Sequence, residues 1–569
     1  MDTPVLLLLI WLFGASACLL LYLGSKLTFL LDDWEFLLYR RGFSADAVLD
    51  PHGEHIVALP VLIYKALLAT VGMGSALPYR VVSTALFLLS AALLFVYLRR
   101  RVGDWPALAA TAVVLFLGAA WEDLLWSFQM TYFGSVAAGL GALLALERED
   151  RRGEAVACAL LVASVLFSSL GLSFAIGAAV HVLLLGERRR RLYVFLVPLA
   201  VYALWWLGWG HTAESSLSIT NVAKTPLFVL DSVAAALASL FGLATPGVAT
   251  GAGGLGWGRS LAVAAILLGL WRAYRLERID SRLWVVLAVA GSFWILAGFN
   301  QIPGRDPISS RYQYVGVAFV LMVGAELQRG VRLDWRTSRG TLAVVAIIAA
   351  ASIGSNVYYL SQAFSNGYHP ISRLEKASLG ALEIARDTVE PGFLLSEDVA
   401  GTGYVHVDAG SYLSARDEFG SPAYDPAELA EATSSARFTA DKVLFGALRI
   451  GLAPLPPGAV PALPRRRVAG DPPRASVQPG TCLRVSSDGA VTPLLTLPRT
   501  GAVIEAGGTP VKKVKLLRFA SGPFPIELAE PIAPRQAKEL AIPPDRSRRP
   551  WRLQLETAAE ATVCGNGPA

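Results

Sequence analysis

Apolar runs long enough to cross a bilayer alternate with short polar connections from Val5 to about Ser361, and none recurs beyond that point. The first run, Val5 to Leu31, predicts a helix that delivers Asp32 to the far side of a membrane. Pro78 to Leu98 predicts a second, closed by Arg99-Arg100-Arg101. Further spans are expected near 106–121, 131–147, 154–170, 171–186, 192–209, 259–275, 283–299, 312–328 and 341–359. Two apolar segments are ambiguous. Ile56 to Met73 is short and carries Lys65 at its centre, and Pro226 to Leu243 precedes the Gly-rich stretch Gly247 to Gly258.

Loop charge arbitrates between these readings. Connections 99–104, 148–153, 187–191, 272–282 and 329–339 are rich in Arg. Connections 122–130 and 168–173 have none, 211–225 has only Lys224, and 300–311 has Arg305 and Arg311. This alternation is the positive-inside pattern, and it holds only if both ambiguous segments stay on the outer side. The expectation is about eleven spans, with the N-terminus cytoplasmic and the C-terminal part extracytoplasmic. Met1-Asp2-Thr3-Pro4 lacks a basic n-region, so the first run reads as a retained helix rather than a signal peptide.

Beyond the membrane body the pattern changes twice. Residues 361–452 read as a helical region, with amphipathic runs at Ile371–Thr388 and Pro426–Leu448. A Pro-rich stretch, 453–480, reads as a linker. From 481 to 569 short β-like runs alternate with Gly and Pro, which predicts a small β-sandwich. The expected fold is thus a polytopic α-helical membrane protein (1–360) with a C-terminal extracytoplasmic α+β region.

Composition agrees. The 569 residues are 54% hydrophobic and 17% charged, with a mean hydropathy of +0.50. A soluble domain would carry about a quarter charged residues. The net charge of +6 sits in Arg clusters beside apolar runs, which assigns it to topology and excludes nucleic acid as the partner. Cys18 and Cys158 lie inside apolar runs. Cys482 and Cys564 lie in the C-terminal part, where an outside location makes a disulfide between them the expectation.

Candidate chemistry concentrates in the connections on the outer side. Asp32, Asp33, Glu35, Arg40, Arg41, Asp46, Asp50 and Glu54 crowd the first one. At roughly 2.5–3.5 kcal/mol per ion at mid-bilayer, they belong in water or against protein. Of two adjacent carboxylates, one can hold a divalent cation while the other accepts a proton from a hydroxyl; an acidic helix end is the plainer alternative. His52-Gly53-Glu54-His55 matches neither zinc-hydrolase pattern and reads as a wall of the same cavity, binding sugar hydroxyls or a metal, or as a cap for the next helix. Trp121-Glu122-Asp123 and Trp126 to Gln129 suit a sugar site or an aromatic belt. Arg305 and Arg311, followed by Tyr312, break the Arg-poor pattern, and a phosphate group would supply the reason.

A DD pair directly after the first span, in a large outer loop with short helices, resembles the type C (GT-C) glycosyltransferases. So does a polytopic body followed by an extracytoplasmic domain. Protein mannosyltransferases, oligosaccharyltransferases and the arabinosyltransferases of actinobacterial cell walls belong to that superfamily. The resemblance implies that Asp32 or Asp33 is the catalytic base and that the donor is a polyprenyl-phosphate sugar. The acceptor would be a glycan or lipid of the cell envelope, on the outer face of the plasma membrane. The tail lacks a WWDYG-like sequence, which argues against the oligosaccharyltransferase branch. Expected substrate-binding residues are Trp34, Glu54, His55, Glu122, Asp123, Gln129, Arg305, Arg311 and Tyr312. A divalent cation (Mg, Mn or Ca) would sit on Asp33, His52 and His55. A transporter or flippase for a lipid-linked glycan is the rival reading, although the spans carry few internal charges of the kind a transport path requires. The topology has a direct test: a membrane-impermeant thiol reagent should label His211→Cys from outside and Trp335→Cys only after the membrane is opened.

Overall fold

A computed structural model describes residues 2–184, 191–244, 254–275, 279–329, 338–396, 407–455, 465–467, 474–486, 492–521, 525–528, 530–558 and 560–566. The chain divides into two compact units, Met1–Val71 with Ala76–Pro370, and Gly72–Ser75 with Ile371–Ala569. The division falls at 370/371, later than the expected boundary at 360, because the helix Arg339–Ala363 runs on through a π-turn, Phe364–Tyr368, into His369–Ala385.

The first unit is a helical membrane body. Among the described residues seven helices are long and apolar enough to cross a bilayer, among them Thr3–Gly24, Leu77–Val102, Ser127–Leu146 and Ser281–Phe299. The remaining expected spans appear as shorter or more polar helices, including Arg151–Phe167, Gly171–Leu184, Tyr193–Gly208, Gly258–Arg275 and Gln313–Leu327.

Charged side chains join the helices at one end of this body. Arg101 lies between Glu326 (2.5 Å) and Glu147 (2.6 Å), and Arg329 bonds Glu326 at 2.8 Å. Arg191 pairs with Glu154 at 3.0 Å, and Arg99 with Asp104 at 3.1 Å. Arg101 and Glu326 are almost fully buried, a placement that costs several kcal/mol per ion unless each is paired. The described parts of the Arg-rich connections thus share one end of the bundle.

The two ambiguous segments gather at the other end. The helix Ala58–Val71 has 14 residues. Its Lys65 Nζ donates to the carbonyls of Arg40 and Gly42 in the first loop, and Tyr64 packs on Tyr79, near the start of the next span. The helix Ile219–Leu240 is long enough to span, at 22 residues, yet both its ends meet one level of its neighbours. Asn221 Nδ2 donates to the carbonyls of Phe299 and Gln301, where one span ends. Ser239 Oγ donates to Gln313 Oε1, where the next begins. It lies across the body rather than through it. The crossing falls to Gly258–Arg275, which starts against Ala234 and ends with Arg272 Nε on the Leu327 carbonyl.

The second unit carries helices Ala409–Phe419 and Ser434–Ala447, a two-stranded sheet (β1, Leu394–Leu395; β2, Val407–Asp408) and two larger sheets. Their strands are β3 (Gly451–Pro454), β4 (Arg465–Arg467), β5 (Arg474–Ser476), β6 (Cys482–Ser486), β7 (Leu494–Thr496), β8 (Gly501–Ala506), β9 (Val511–Leu517), β10 (Ile526–Leu528), β11 (Ala537–Ala541), β12 (Arg552–Thr557) and β13 (Glu560–Gly565). The orders are β10-β9-β12-β7-β5 and β3-β11-β8-β13-β6-β4. Two antiparallel-rich sheets are what the alternating pattern predicts. The Pro-rich linker is a correction: β4 and β5 fall inside 453–480 and pair in parallel with β6 and β7. Both are edge strands, the place where a Pro-rich extended chain can join a sheet. Asp441 ties helix to sheet, accepting from the backbone N–H groups of Arg518, Phe519 and Ala520.

Cys482 and Cys564 form a disulfide and stand opposite each other on β6 and β13, 82 residues apart in sequence. A loop of that length corresponds to roughly 4 kcal/mol of unfolded-state entropy. Cys482→Ser with Cys564→Ser should therefore lower the melting temperature of the second unit under oxidising conditions and leave it insensitive to dithiothreitol.

Candidate active site

The site begins where the first span stops. Leu31 turns the chain with φ +49°, a left-handed conformation that costs a bulky residue about 1–2 kcal/mol. The turn is fixed from outside: Trp126 Nε1 donates to the Leu30 carbonyl at 2.9 Å. Arg80, buried in the span Leu77–Val102, donates to the carbonyls of Thr28 (2.5 Å) and Leu125 (3.0 Å). Its stem crosses Gly24 so closely that a Cβ there would meet Arg80 Cδ at 2.7 Å.

The two adjacent carboxylates consequently have different surroundings. Asp32 lines a cavity of about 420 Å³. Asp33 is fully buried, accepts hydrogen bonds from the Leu30 N–H (2.9 Å) and the Tyr64 hydroxyl, and takes no part in the cavity wall. Burial pushes the Asp33 carboxyl up to about 6, against the opposing pull of Arg80 and Tyr64. The turn thus separates the adjacent carboxylates, giving Asp32 to the cavity and Asp33 to the core.

Asp32 Oδ2 lies 3.1 Å from His52 Nε2, and His52 Nδ1 lies 2.7 Å from Glu35 Oε2. Arg40 Nε donates to Glu35 Oε1 at 2.8 Å. Burial disfavours the charged ring, but Asp32 and Glu35 outweigh it and hold His52 up at about 9. Burial acts on Glu35 in the opposite sense to its partners, yet His52 and Arg40 keep its carboxyl below the usual range. His55 goes the other way. Burial, then the charges of His52 and Arg305, bring it down to about 4, so it is neutral.

Of the expected substrate-binding residues, Glu54, His55, Gln129, Arg305, Arg311 and Tyr312 all line the cavity. Three do not. Trp34 is 1% exposed and packs edge-on against Phe29. Asp123 is fully buried in the body. Glu122 acts through Arg311, accepting its backbone N–H at 3.0 Å and its guanidinium at 3.5 Å. Arg305 pairs with Glu54 at 3.4 Å. The Nε of Arg311 is buried with no hydrogen-bond partner among the described residues.

The residues expected to hold a cation do not fit one. Asp33 is engaged by Tyr64 and Leu30 and His52 by two carboxylates, which leaves His55, its Nδ1 buried without a hydrogen-bond partner among the described residues, as a single ligand. Among the described residues no group of three His, Cys, Asp or Glu could hold a metal ion. Sequence reasoning also passed over parts of the site. Glu35 and Arg40 count only as loop charge in the sequence, and His211, a single histidine that no motif marks, lines the cavity with Phe128, Tyr132, Tyr202, Trp206 and Phe293. The indoles of Trp205 and Trp209 hold the first loop, donating to Leu49 O (2.7 Å) and Asp46 Oδ1 (2.8 Å). The Trp-rich end of that helix was the available signal.

No known family's sequence pattern matches the chain, and no curated protein sequence matches it. Among solved structures, apo ArnT from Cupriavidus metallidurans is similar over 68% of this chain and 81% of its own, at 14% identity and a TM-score of 0.45. The same protein bound to undecaprenyl phosphate gives 68% and 82%, 14% identity and a TM-score of 0.43. The Archaeoglobus fulgidus oligosaccharyltransferase tethered to an acceptor peptide covers 76% of this chain and 68% of its own, at 15% identity and a TM-score of 0.41. Likeness at this level is one of chain path and carries no chemistry across.

A histidine held above its ordinary 6.5 contributes stability that is complete below that pH and lost as pH rises toward about 9. The Asp33 window, from 3.8 to about 6, lies below this range. The melting temperature should therefore fall between pH 6.5 and 9, by a few degrees more in the wild type than in His52→Gln.

Proposed function

We propose that this protein is an integral-membrane glycosyltransferase of the type C kind. It moves a sugar from a polyprenyl-phosphate donor to a glycan or lipid acceptor of the cell envelope. The observation that carries the reading is the composition of one cavity: a carboxylate, Asp32, shares it with two arginines, Arg305 and Arg311, and with a set of aromatic rings. Carboxylates and rings suit a sugar, through hydroxyl hydrogen bonds and stacking on apolar ring faces. Guanidinium groups suit a phosphate, which they engage bidentately.

In this reading the cavity end of the body is extracytoplasmic, the N-terminus is cytoplasmic and the second unit lies outside. The Arg clusters gathered at the opposite end support that orientation, and so does the disulfide. Asp32 takes the proton of an acceptor hydroxyl as its oxygen bonds to the anomeric carbon. The bond from that carbon to the phosphate oxygen breaks, and the lipid phosphate leaves with its charge met by Arg311 and Arg305. Asp33 supports the turn from beneath. Arabinose and mannose are the first sugars to test.

Membranes containing the protein should transfer labelled arabinose or mannose from the corresponding polyprenyl-phosphate sugar. Asp32→Asn should reduce transfer by about 10²-fold or more, the scale of a lost general base. Asp33→Asn should cost less than about tenfold and lower the melting temperature instead, as a buried hydrogen-bonding change does. Full transfer by Asp32→Asn would remove the assignment and return the transport reading.

A further inference from the structure

The position of His52 carries a role that is neither metal ligand nor sugar contact. Both ring nitrogens face carboxylate oxygens, Nε2 toward Asp32 at 3.1 Å and Nδ1 toward Glu35 at 2.7 Å. Carboxylates accept and do not donate, so both nitrogens donate and neither keeps a lone pair for a cation. The ring is held on its faces and edges by Phe128, with centroids 4.8 Å apart, and Phe36, at 5.5 Å.

The surroundings fix the ring a second time, through the backbone. His52 and His55 exchange two main-chain hydrogen bonds of 3.0 Å, closing a tight turn over Gly53, whose φ of +54° suits glycine. The guanidinium that bonds Glu35 also donates to the carbonyls of Asp50 (2.8 Å) and Pro51 (2.9 Å), the two residues before His52. Arg40 thus anchors both the carboxylate that holds the ring and the chain that carries it. Glu35 opens the π-turn Glu35–Tyr39, three residues after Asp32, so one short stretch supplies both carboxylates. Asp32, in contrast, retains 35% side-chain exposure and needs an external partner to fix its rotamer.

We infer that His52 is the positioning residue of the site, holding the Asp32 carboxylate toward the cavity, and that Glu35 and Arg40 act only through His52. This rests on the reading of Asp32 as the group that activates the acceptor. One oxygen of Asp32 is held by the imidazolium, leaving the other to meet a hydroxyl. The chain Arg40–Glu35–His52–Asp32 alternates in charge, so each member is neutralised by the next.

The test is a mutant cycle in membranes, with polyprenyl-phosphate arabinose or mannose as donor and a synthetic oligosaccharide as acceptor. His52→Ala should lower kcat by roughly 10–100-fold, the cost of a mispositioned reacting group, with both KM values within about threefold. His52→Gln, whose amide can reach the position of Nε2, should return kcat to within about tenfold of the wild type. Glu35→Gln should reduce kcat in the wild-type background and have no further effect beside His52→Ala. A loss carried by KM, additive losses for Glu35 and His52, or no loss at all would overturn the inference.

A second cycle is independent of activity. Melting temperatures of Asp32→Asn, His52→Gln and the double variant in detergent should show coupling. Coupling without transfer by the wild type would leave the clamp standing and remove the glycosyltransferase reading. Transfer by the wild type without coupling would remove the clamp alone.

Discussion

Arg80 enters the structure at the head of the span Leu77–Val102, with its guanidinium turned between two loops rather than toward water. A buried cation there requires acceptors, and the acceptors it finds are main-chain carbonyls of Thr28, just before the acidic turn, and Leu125, just after the second connection begins. The stem reaches them because residue 24 has no side chain. Trp126 then closes on Leu30 from the same connection. The strained conformation of Leu31 is therefore imposed by its neighbours, which is how a local cost of that kind persists in a fold.

The body works as two charged ends separated by apolar packing. At one end Arg101, Glu147, Glu326 and Arg329 satisfy one another and pin three helix ends together. At the other, the two arginines that line the cavity make longer ion pairs: 3.4 Å for Arg305–Glu54 and 3.5 Å for Arg311–Glu122. The first set is a fastening. The second leaves its two guanidinium groups on the cavity wall.

The helical membrane body was legible in the sequence because a charge at a loop must leave the bilayer whatever its side chain touches. That constraint reads Pro226 to Leu243 as staying on one side, and both ends of the helix Ile219–Leu240 meet one level of its neighbours. The identity of the site residues was legible only in part. Asp32 and Asp33 are neighbours in sequence, yet on a turn consecutive side chains diverge, and the letters D-D cannot say which one reaches the cavity. Glu122 and Asp123 repeat the lesson, one backing Arg311 and the other buried. Glu35 and Arg40 went unread because their value lies in contacts with Asp50, Pro51 and His52, which sequence spacing does not encode. The Pro-rich stretch was misread for a related reason: composition reports that a chain is extended, not whether a sheet edge stands beside it.

The order of the six-stranded sheet has a consequence for biosynthesis. β13 lies between β8 and β6, so it is an interior strand although it follows every other strand of that sheet in sequence. Until it emerges, β6 and β8 each present an unpaired edge, and Cys482 stays a free thiol with no partner across from it. Assembly of this region during synthesis is thus a period of vulnerability to strand exchange and mispairing. It ends when β13 inserts and oxidation locks it in place.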